Sequence, residues 1–368
     1  LESFSPSLIL SIDNCQFATN VMYGLSKDSS KFITFQNTRI GSRWVARYDF
    51  AIGSYLNSVE IGPMKSPDER PGLEFEIDSF INEFQQENDP LYKSPSLILG
   101  TPYRKESSTS LSRRIYTSGK EMGNIVFHAT RSALLGPGTR SIKVRRFDQN
   151  HLRIQMFEAK RRLCNLLIKE KEVSYKFESS NYFLWSLHYR PEGSGLVLGF
   201  GLDEFVFIEQ VAEVLKSLGQ ILVVKENPLM FGTRRSVDLK RLRSHSNLVY
   251  LSRSPYSKNL MRNAKGVIGV SGTNLLEAAL LGIPSYAFGE PEYLPSVWSV
   301  KDLTFLDFVT GCLDGKIKSR NLELRAYLRF VFLNSTDHDS MLNALNSLDE
   351  MQNDIERMQG IVLRTLNS

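Results

Sequence analysis

Four short segments combine the residue types that bind anions or move protons. The first is Val267-Ile268-Gly269-Val270-Ser271-Gly272-Thr273-Asn274-Leu275-Leu276-Glu277-Ala278. An apolar run ending in Ser-Gly-Thr and passing straight into a helix aims unpaired backbone N–H groups, and the positive end of the helix dipole, at the space beyond a sheet, where a phosphate fits. Gly272 allows close approach to the backbone, and Ser271 and Thr273 add hydroxyls. Glu277 lies four residues after Thr273 on the same helical face, where a carboxylate can accept from a ribose diol. A plain helix N-cap with a solvated Glu277 fits the same residues equally well.

The second segment is Val223-Val224-Lys225-Glu226-Asn227-Pro228, followed by Gly232-Thr233-Arg234-Arg235. A strand delivering Lys225 to a sheet edge can neutralise a diphosphate or carboxylate, Arg234 adds charge, and the Asn227 amide can read a base or sugar hydroxyl. Lysine at a strand end is also common as plain surface. The third is His188-Tyr189-Arg190-Pro191-Glu192, an imidazole and a carboxylate four apart in a loop, suited to acid and base work near neutral pH. A structural histidine beside an exposed Glu192 is the competing account. The fourth, Thr38 to Arg47, sets Arg39, Arg43 and Arg47 around Trp44, so that Arg39 and Arg43 can hold an acidic acceptor or phosphate, or form a solvated basic face. Asp337-His338-Asp339 has the look of an acidic metal triplet, but it follows a helical stretch and reads as capping, so no metal is assigned.

Strands and helices alternate around these segments in the second half of the chain. Tyr182 to Leu187, Gln220 to Lys225, Asn247 to Leu251, Gly266 to Val270 and Pro284 to Phe288 read as strands. Between them, apolar residues at Phe207, Ile208, Val211, Val214, Leu215 and Leu218 mark a helix from Asp203 that Gly219 ends. Helices are also expected over Val237 to Arg243, near Ser257 to Asn263, and from Thr273 to Gly282. This is the pattern of a parallel sheet covered on both faces, which binds ligands at the carboxyl ends of its strands. The first half shows strands at Leu8 to Ile12, Lys31 to Phe35 and Ser96 to Leu99 and a helix at Leu73 to Gln86. Residues 104–146 lack periodicity and read as a loop over a cleft. Residues 153–173 read as a basic helix and 340–366 as a long final helix. The expected division is an N-terminal domain over 1–150, a C-terminal domain over 151–335, and a terminal helix over 336–368 that crosses back to the first domain.

The 368 residues suffice for about two domains at roughly 100–200 residues each. Hydrophobic residues are 42% and charged residues 23%, the balance of a folded globular chain, which excludes disordered and collagen-like classes. Lys+Arg 45 against Asp+Glu 40 leaves +5, a mild excess that suits anionic small molecules or a membrane surface and falls short of a nucleic-acid-binding charge. Cys15, Cys164 and Cys312 are widely spaced, which argues against disulfides and a structural zinc. No uniformly apolar stretch of about 20 residues is present, and no signal peptide is read, so a cytoplasmic location is expected.

Taken in order, Leu187-His188-Tyr189-Arg190-Pro191-Glu192, Gln210, Val224-Lys225-Glu226-Asn227-Pro228, Gly232-Thr233-Arg234, Gly272 to Ala278, Gly282-Ile283-Pro284 and Phe288-Gly289 resemble the capsule and surface-polysaccharide biosynthesis proteins. That group contains glycosyltransferases of the GT-B type, related to the Kdo transferases of capsule synthesis. Where it carries Lys-Glu-His-Pro, this chain has Asn227 in place of the histidine. The resemblance implies an α/β fold of two Rossmann-like domains facing across a cleft. It implies a donor held by Lys225, Asn227, Arg234, Ser271, Gly272, Thr273 and Glu277, chemistry at His188 or Glu192, and an acceptor at Arg39 and Arg43. The expected function is metal-independent transfer of a sugar from a nucleotide donor, such as a CMP-linked acidic sugar, to a surface or capsular glycan or glycolipid. No cofactor beyond the nucleotide sugar is expected, nor any nucleic acid. Peripheral contact with the inner membrane face or a polysaccharide assembly complex fits that role. A nucleotide-sugar 2-epimerase and a catalytically silent glycan-binding subunit are the alternatives.

Overall fold

The computed structural model of the chain describes residues 8–12, 31–38, 40, 43–47, 71–86, 91, 181–188, 203–227, 230, 234, 236–251 and 257–337. These form two sheets. The larger contains β4 (Tyr182–Ser186), β5 (Ile221–Lys225), β6 (Leu248–Leu251), β7 (Gly266–Gly269), β8 (Ser285–Ala287) and β9 (Trp298–Ser299), in the order β6-β5-β4-β7-β8-β9. Every neighbouring pair is parallel.

Burial on both faces explains why these strands read as unbroken apolar runs rather than as alternating patterns. Phe183, Leu184 and Trp185 are all inaccessible to solvent, as are Leu222, Val223 and Val224. Alternate residues serve opposite faces. Phe183, Trp185, Leu222, Val224, Ile268 and Tyr286 pack with helices α2 (Glu204–Ser217), α3 (Ser236–Arg243) and α6 (Phe305–Leu313). Tyr182, Leu184, Val223, Val267 and Ala287 pack with α1 (Leu73–Gln86), α4 (Ser257–Arg262), α5 (Thr273–Leu280) and α7 (Asn321–Asn334).

Local signals set the helix ends. Asp203 caps α2, its side chain accepting from the Phe205 backbone N–H at 3.2 Å. Gly219 and Gly282, just past the ends of α2 and α5, take φ of 66° and 76°. At each, two reversed hydrogen bonds close the helix: Gln220 N–H to Leu215 C=O and Gly219 N–H to Lys216 C=O in one, Ile283 N–H to Ala278 C=O and Gly282 N–H to Ala279 C=O in the other.

The smaller sheet has the order β1-β2-β3-β10, from β1 (Leu8–Ile12), β2 (Lys31–Asn37), β3 (Arg43–Arg47) and β10 (Ser335–Asp337). It is mixed: β1 and β2 run parallel, while β3 is antiparallel to both β2 and β10. Asp337, read from sequence as part of a cap, instead sits in β10 opposite Arg43. Tyr327 on α7 donates to Thr38 C=O at 2.7 Å, joining this sheet to the helical layer of the larger one. The expected strand at 96–99, the loop at 104–146, the basic helix at 153–173 and the final helix at 340–366 lie outside the described residues. No described helix is long and apolar enough to cross a membrane.

Candidate functional site

The strand order reverses beside β4: β5 and β6 lie to one side of it, β7 to β9 to the other. In open parallel sheets the chain diverges at such a reversal, leaving a crevice at the carboxyl ends of the two flanking strands. Here those ends are His188, two residues past β4, and Ser271-Gly272, just past β7. Both were expected site residues, and they meet. Nε2 of His188 lies 3.1 Å from where a Cβ on Gly272 would stand, and Oδ1 of Asn274 lies 2.4 Å from it. A side chain at position 272 would therefore press on Asn274 and His188, although its φ of −73° suits any residue.

Gly272 is the N-cap of α5, with no side-chain cap bond. Its C=O accepts from Tyr293 Oη at 2.5 Å and from the Leu275 N–H at 3.0 Å. Ser271 is buried, and Thr273 opens the helix. Ser271, Gly272 and Thr273 thus lie on the turn that leads from β7 into α5.

His188 is held from the opposite side by Glu204, the first residue of α2. Glu204 Oε1 is 2.8 Å from His188 Nδ1, and the same carboxylate accepts from the His188 backbone N–H at 3.2 Å and from Trp185 Nε1 at 3.0 Å. Burial pushes the Glu204 carboxyl up, but the His188 charge, the bonds from His188 and Trp185, and the Arg234 charge outweigh it and hold the group below its ordinary range. Sequence reasoning missed Glu204; Asp203-Glu204 signalled only a helix start.

Arg234 is buried, with its Nε and Nη2 3.0–3.2 Å from the carboxylate of Glu226, and its Nη2 donates to His188 C=O at 2.5 Å. Glu226 also accepts from Tyr250 Oη at 2.8 Å and the Asn227 N–H at 2.7 Å. The Arg234 charge is thus taken up within the protein, and the residue braces the loop after β4 against the end of β5. Asn227 stands beside it, partly buried.

Lys225 is buried at the end of β5, and its ammonium makes no ion pair within 4 Å among the described residues. Burial lowers it to about 8, against the opposing pull of Glu277 and Glu226. Glu277 is buried on α5 and accepts from the Leu91 backbone N–H at 3.0 Å. Burial raises its carboxyl to about 7, against that bond and the charges of Lys258 and Lys225. A solvated Glu277 does not match this geometry. Lys258 donates to Phe84 C=O at 2.7 Å, Arg262 donates to Gln85 C=O, and Gln85 Nε2 donates to Leu280 C=O at 2.8 Å. The last-turn carbonyls of α1 are thereby capped by cations from α4, fastening that helix to the α5 layer.

Glu192 and Arg39 lie outside the described residues. Arg43 is placed on β3 by its backbone alone. Among the described residues no cluster of three or more His, Cys, Asp or Glu could hold a metal.

Neither a protein-family model nor a curated protein matches the chain. Among solved structures it is similar to the beta Kdo 2,4 transferase of Thermosulfurimonas dismutans KpsC, at 13% identity over 88% of this chain and 79% of that one, with a TM-score of 0.45. It is similar to the beta Kdo 2,7 transferase of the same KpsC at 12% identity over 90% and 87%, with a TM-score of 0.37. Similarity to the UDP-GlcNAc 2-epimerase of Methanocaldococcus jannaschii covers 50% of this chain and 49% of that one, at 14% identity and a TM-score of 0.25.

Proposed function

We propose that the chain is a glycosyltransferase that takes a sugar from a nucleotide donor to a surface glycan or glycolipid. The observation that carries this reading is the convergence of His188 Nε2 and the Gly272 turn at the reversal of strand order. That convergence sets a proton-handling atom beside a turn suited to a phosphate leaving group.

In this reading the turn at Ser271, Gly272 and Thr273 holds the donor phosphate. Lys225, protonated below about pH 8, supplies long-range positive charge behind it. Asn227 reads the nucleotide, Glu277 and Arg234 keep the surrounding loops in place, and Arg39 and Arg43 steer an acidic acceptor. Residues 1–150 form the acceptor domain, 151–335 the donor domain, and 336–368 the crossing helix. The donor class in this reading is a CMP-linked acidic sugar, whose charge Lys225 would favour. The reaction uses no metal, and the protein works in the cytoplasm at the membrane face or within an assembly complex.

The test is a thermal-shift panel of CMP, UDP and GDP, followed by incubation of the stabilising nucleotide's sugars with and without glycan acceptor in the presence of EDTA. Transfer that needs acceptor and survives EDTA supports the proposal. Interconversion of epimers without acceptor identifies an epimerase instead. No stabilisation by any nucleotide removes the donor site.

A further inference from the structure

We infer that Glu204 is a positioning residue that fixes the tautomer of His188, making Nε2 the atom that takes up a proton in the crevice between β4 and β7. The inference deepens the proposed function and rests on its reading of that crevice as the reacting centre.

Two of the three groups that converge on Glu204, Trp185 Nε1–H and the His188 backbone N–H, are donors only. A carboxylate that already accepts from both offers the third, Nδ1, an acceptor at 2.8 Å, so the imidazole proton belongs on Nδ1 and donates to Oε1. The lone pair of the neutral ring is then on Nε2, at the edge facing Gly272. The second bond, from the His188 backbone, ties the position of the residue to the same carboxylate. Trp185, stacked on Phe288 with centroids 6.0 Å apart, holds the carboxylate from below. Glu204 itself stands in the first turn of α2, where the helix dipole favours a negative charge.

In the transfer step, the hydroxyl proton of the acceptor passes to Nε2 while the hydroxyl oxygen bonds to the sugar carbon. The bond from that carbon to the phosphate oxygen breaks, and its electron pair leaves with the phosphate. The resulting imidazolium faces the Glu204 carboxylate from α2. Arg234, which touches the His188 C=O, has its charge taken up by Glu226 at the end of β5. The negative partner therefore dominates at the ring, and it stabilises the protonated histidine.

The test is nitrogen-15 NMR of the imidazoles in the full chain, without ligand, with His188 assigned by loss of its signals in His188→Gln. The expected result in the wild type is a neutral ring protonated on Nδ1. In Glu204→Gln the midpoint of the His188 titration is expected to fall by about 1–3 pH units, with Glu204→Asp restoring part of that fall. A neutral wild-type ring protonated on Nε2 overturns the inference, as does an unchanged midpoint in a folded Glu204→Gln. If Glu204→Gln fails to fold, the wild-type tautomer alone decides. These outcomes are independent of the nucleotide panel, so a chain that binds no nucleotide sinks the proposed function without deciding the tautomer. Where transfer is measurable, the acidic limb of the kcat/KM profile moves to lower pH in Glu204→Gln while KM for the donor stays unchanged. A rise in donor KM with an unmoved limb assigns Glu204 to structure alone and overturns the inference.

Discussion

The carboxylate of Glu277 accepts the backbone N–H of Leu91 at 3.0 Å, joining positions 186 residues apart. Together with the capping of α1 by Lys258 and Arg262, this bond secures α1 and Leu91 to the layer formed by α4 and α5. The bond occupies a lone pair of a group that lies one turn below the Gly272 crevice. Helix α5, which starts at the Gly272 turn, and the docking of the first-half helix thus share one buried carboxylate.

That sharing has a pH signature. Glu277 titrates at about 7 in the folded chain against an ordinary 4.5, so the folded state holds the extra proton between those values and this group's contribution to stability falls as pH rises through them. Lys225 titrates at about 8 against 10.5, so the unfolded state holds the extra proton there and its contribution rises with pH across that window. Between about 7 and 8 both buried charges are present, and their combined contribution is at its minimum. Shifts of this size correspond to roughly 3 kcal/mol each. Denaturant titrations of Glu277→Gln across pH should lose the decline between 4.5 and 7; a decline of wild-type size would place that proton on another group.

Removing one member of the buried pair at Arg234 should expose the cost of the other. Arg234→Met leaves the Glu226 carboxylate buried with only Tyr250 and the Asn227 N–H for partners, and should destabilise the chain by about 3–5 kcal/mol. The double variant with Glu226→Gln should lose much less than the sum of the singles. Denaturant midpoints decide the matter. Additive losses would mean that the two charges are not coupled.

The pieces legible from sequence were those with local causes. β4 and β5 announce themselves because burial on both faces demands unbroken apolar runs, and α2 and α5 because Asp203, Gly219 and Gly282 occupy the positions that cap chemistry requires. Partners chosen by the fold were not legible. Glu204 clasps His188 from 16 positions further along the chain, a spacing no periodic pattern signals, and Leu91 reaches Glu277 only because α1 docks on α5. β10 is the same kind of case. A three-residue strand with little β-propensity of its own forms because β3, nearly the whole chain away, offers an edge, and Asp337 accordingly lies opposite Arg43 instead of capping a helix.

Lys225 should distinguish charged from neutral ligands. Its ammonium forms no ion pair among the described residues, so its charge acts on the crevice through a low-dielectric interior in which Coulomb energies are larger than in water. Lys225→Met should weaken CMP binding by tenfold or more, about 1.4 kcal/mol, and leave cytidine nearly unaffected in calorimetric titrations. Equal losses for both would assign the lysine to packing.

Gly272→Ala tests the crevice at its narrowest point. The backbone there has φ −73° and ψ 147°, which alanine adopts without strain, so any effect must come from the added methyl group. That methyl would meet Asn274 Oδ1 at 2.4 Å and His188 Nε2 at 3.1 Å, both of them ends of side chains able to turn aside. Stability should therefore drop by no more than about 1 kcal/mol, the low end of overpacking. Ligand binding should suffer more, because the methyl stands at the turn proposed to hold the phosphate and presses on the imidazole that Glu204 holds. Nucleotide affinity should fall at least tenfold, and Asn274→Ala in the same background should not restore it, since the His188 conflict persists. Wild-type affinity in Gly272→Ala would show that the leaving group does not sit at this turn.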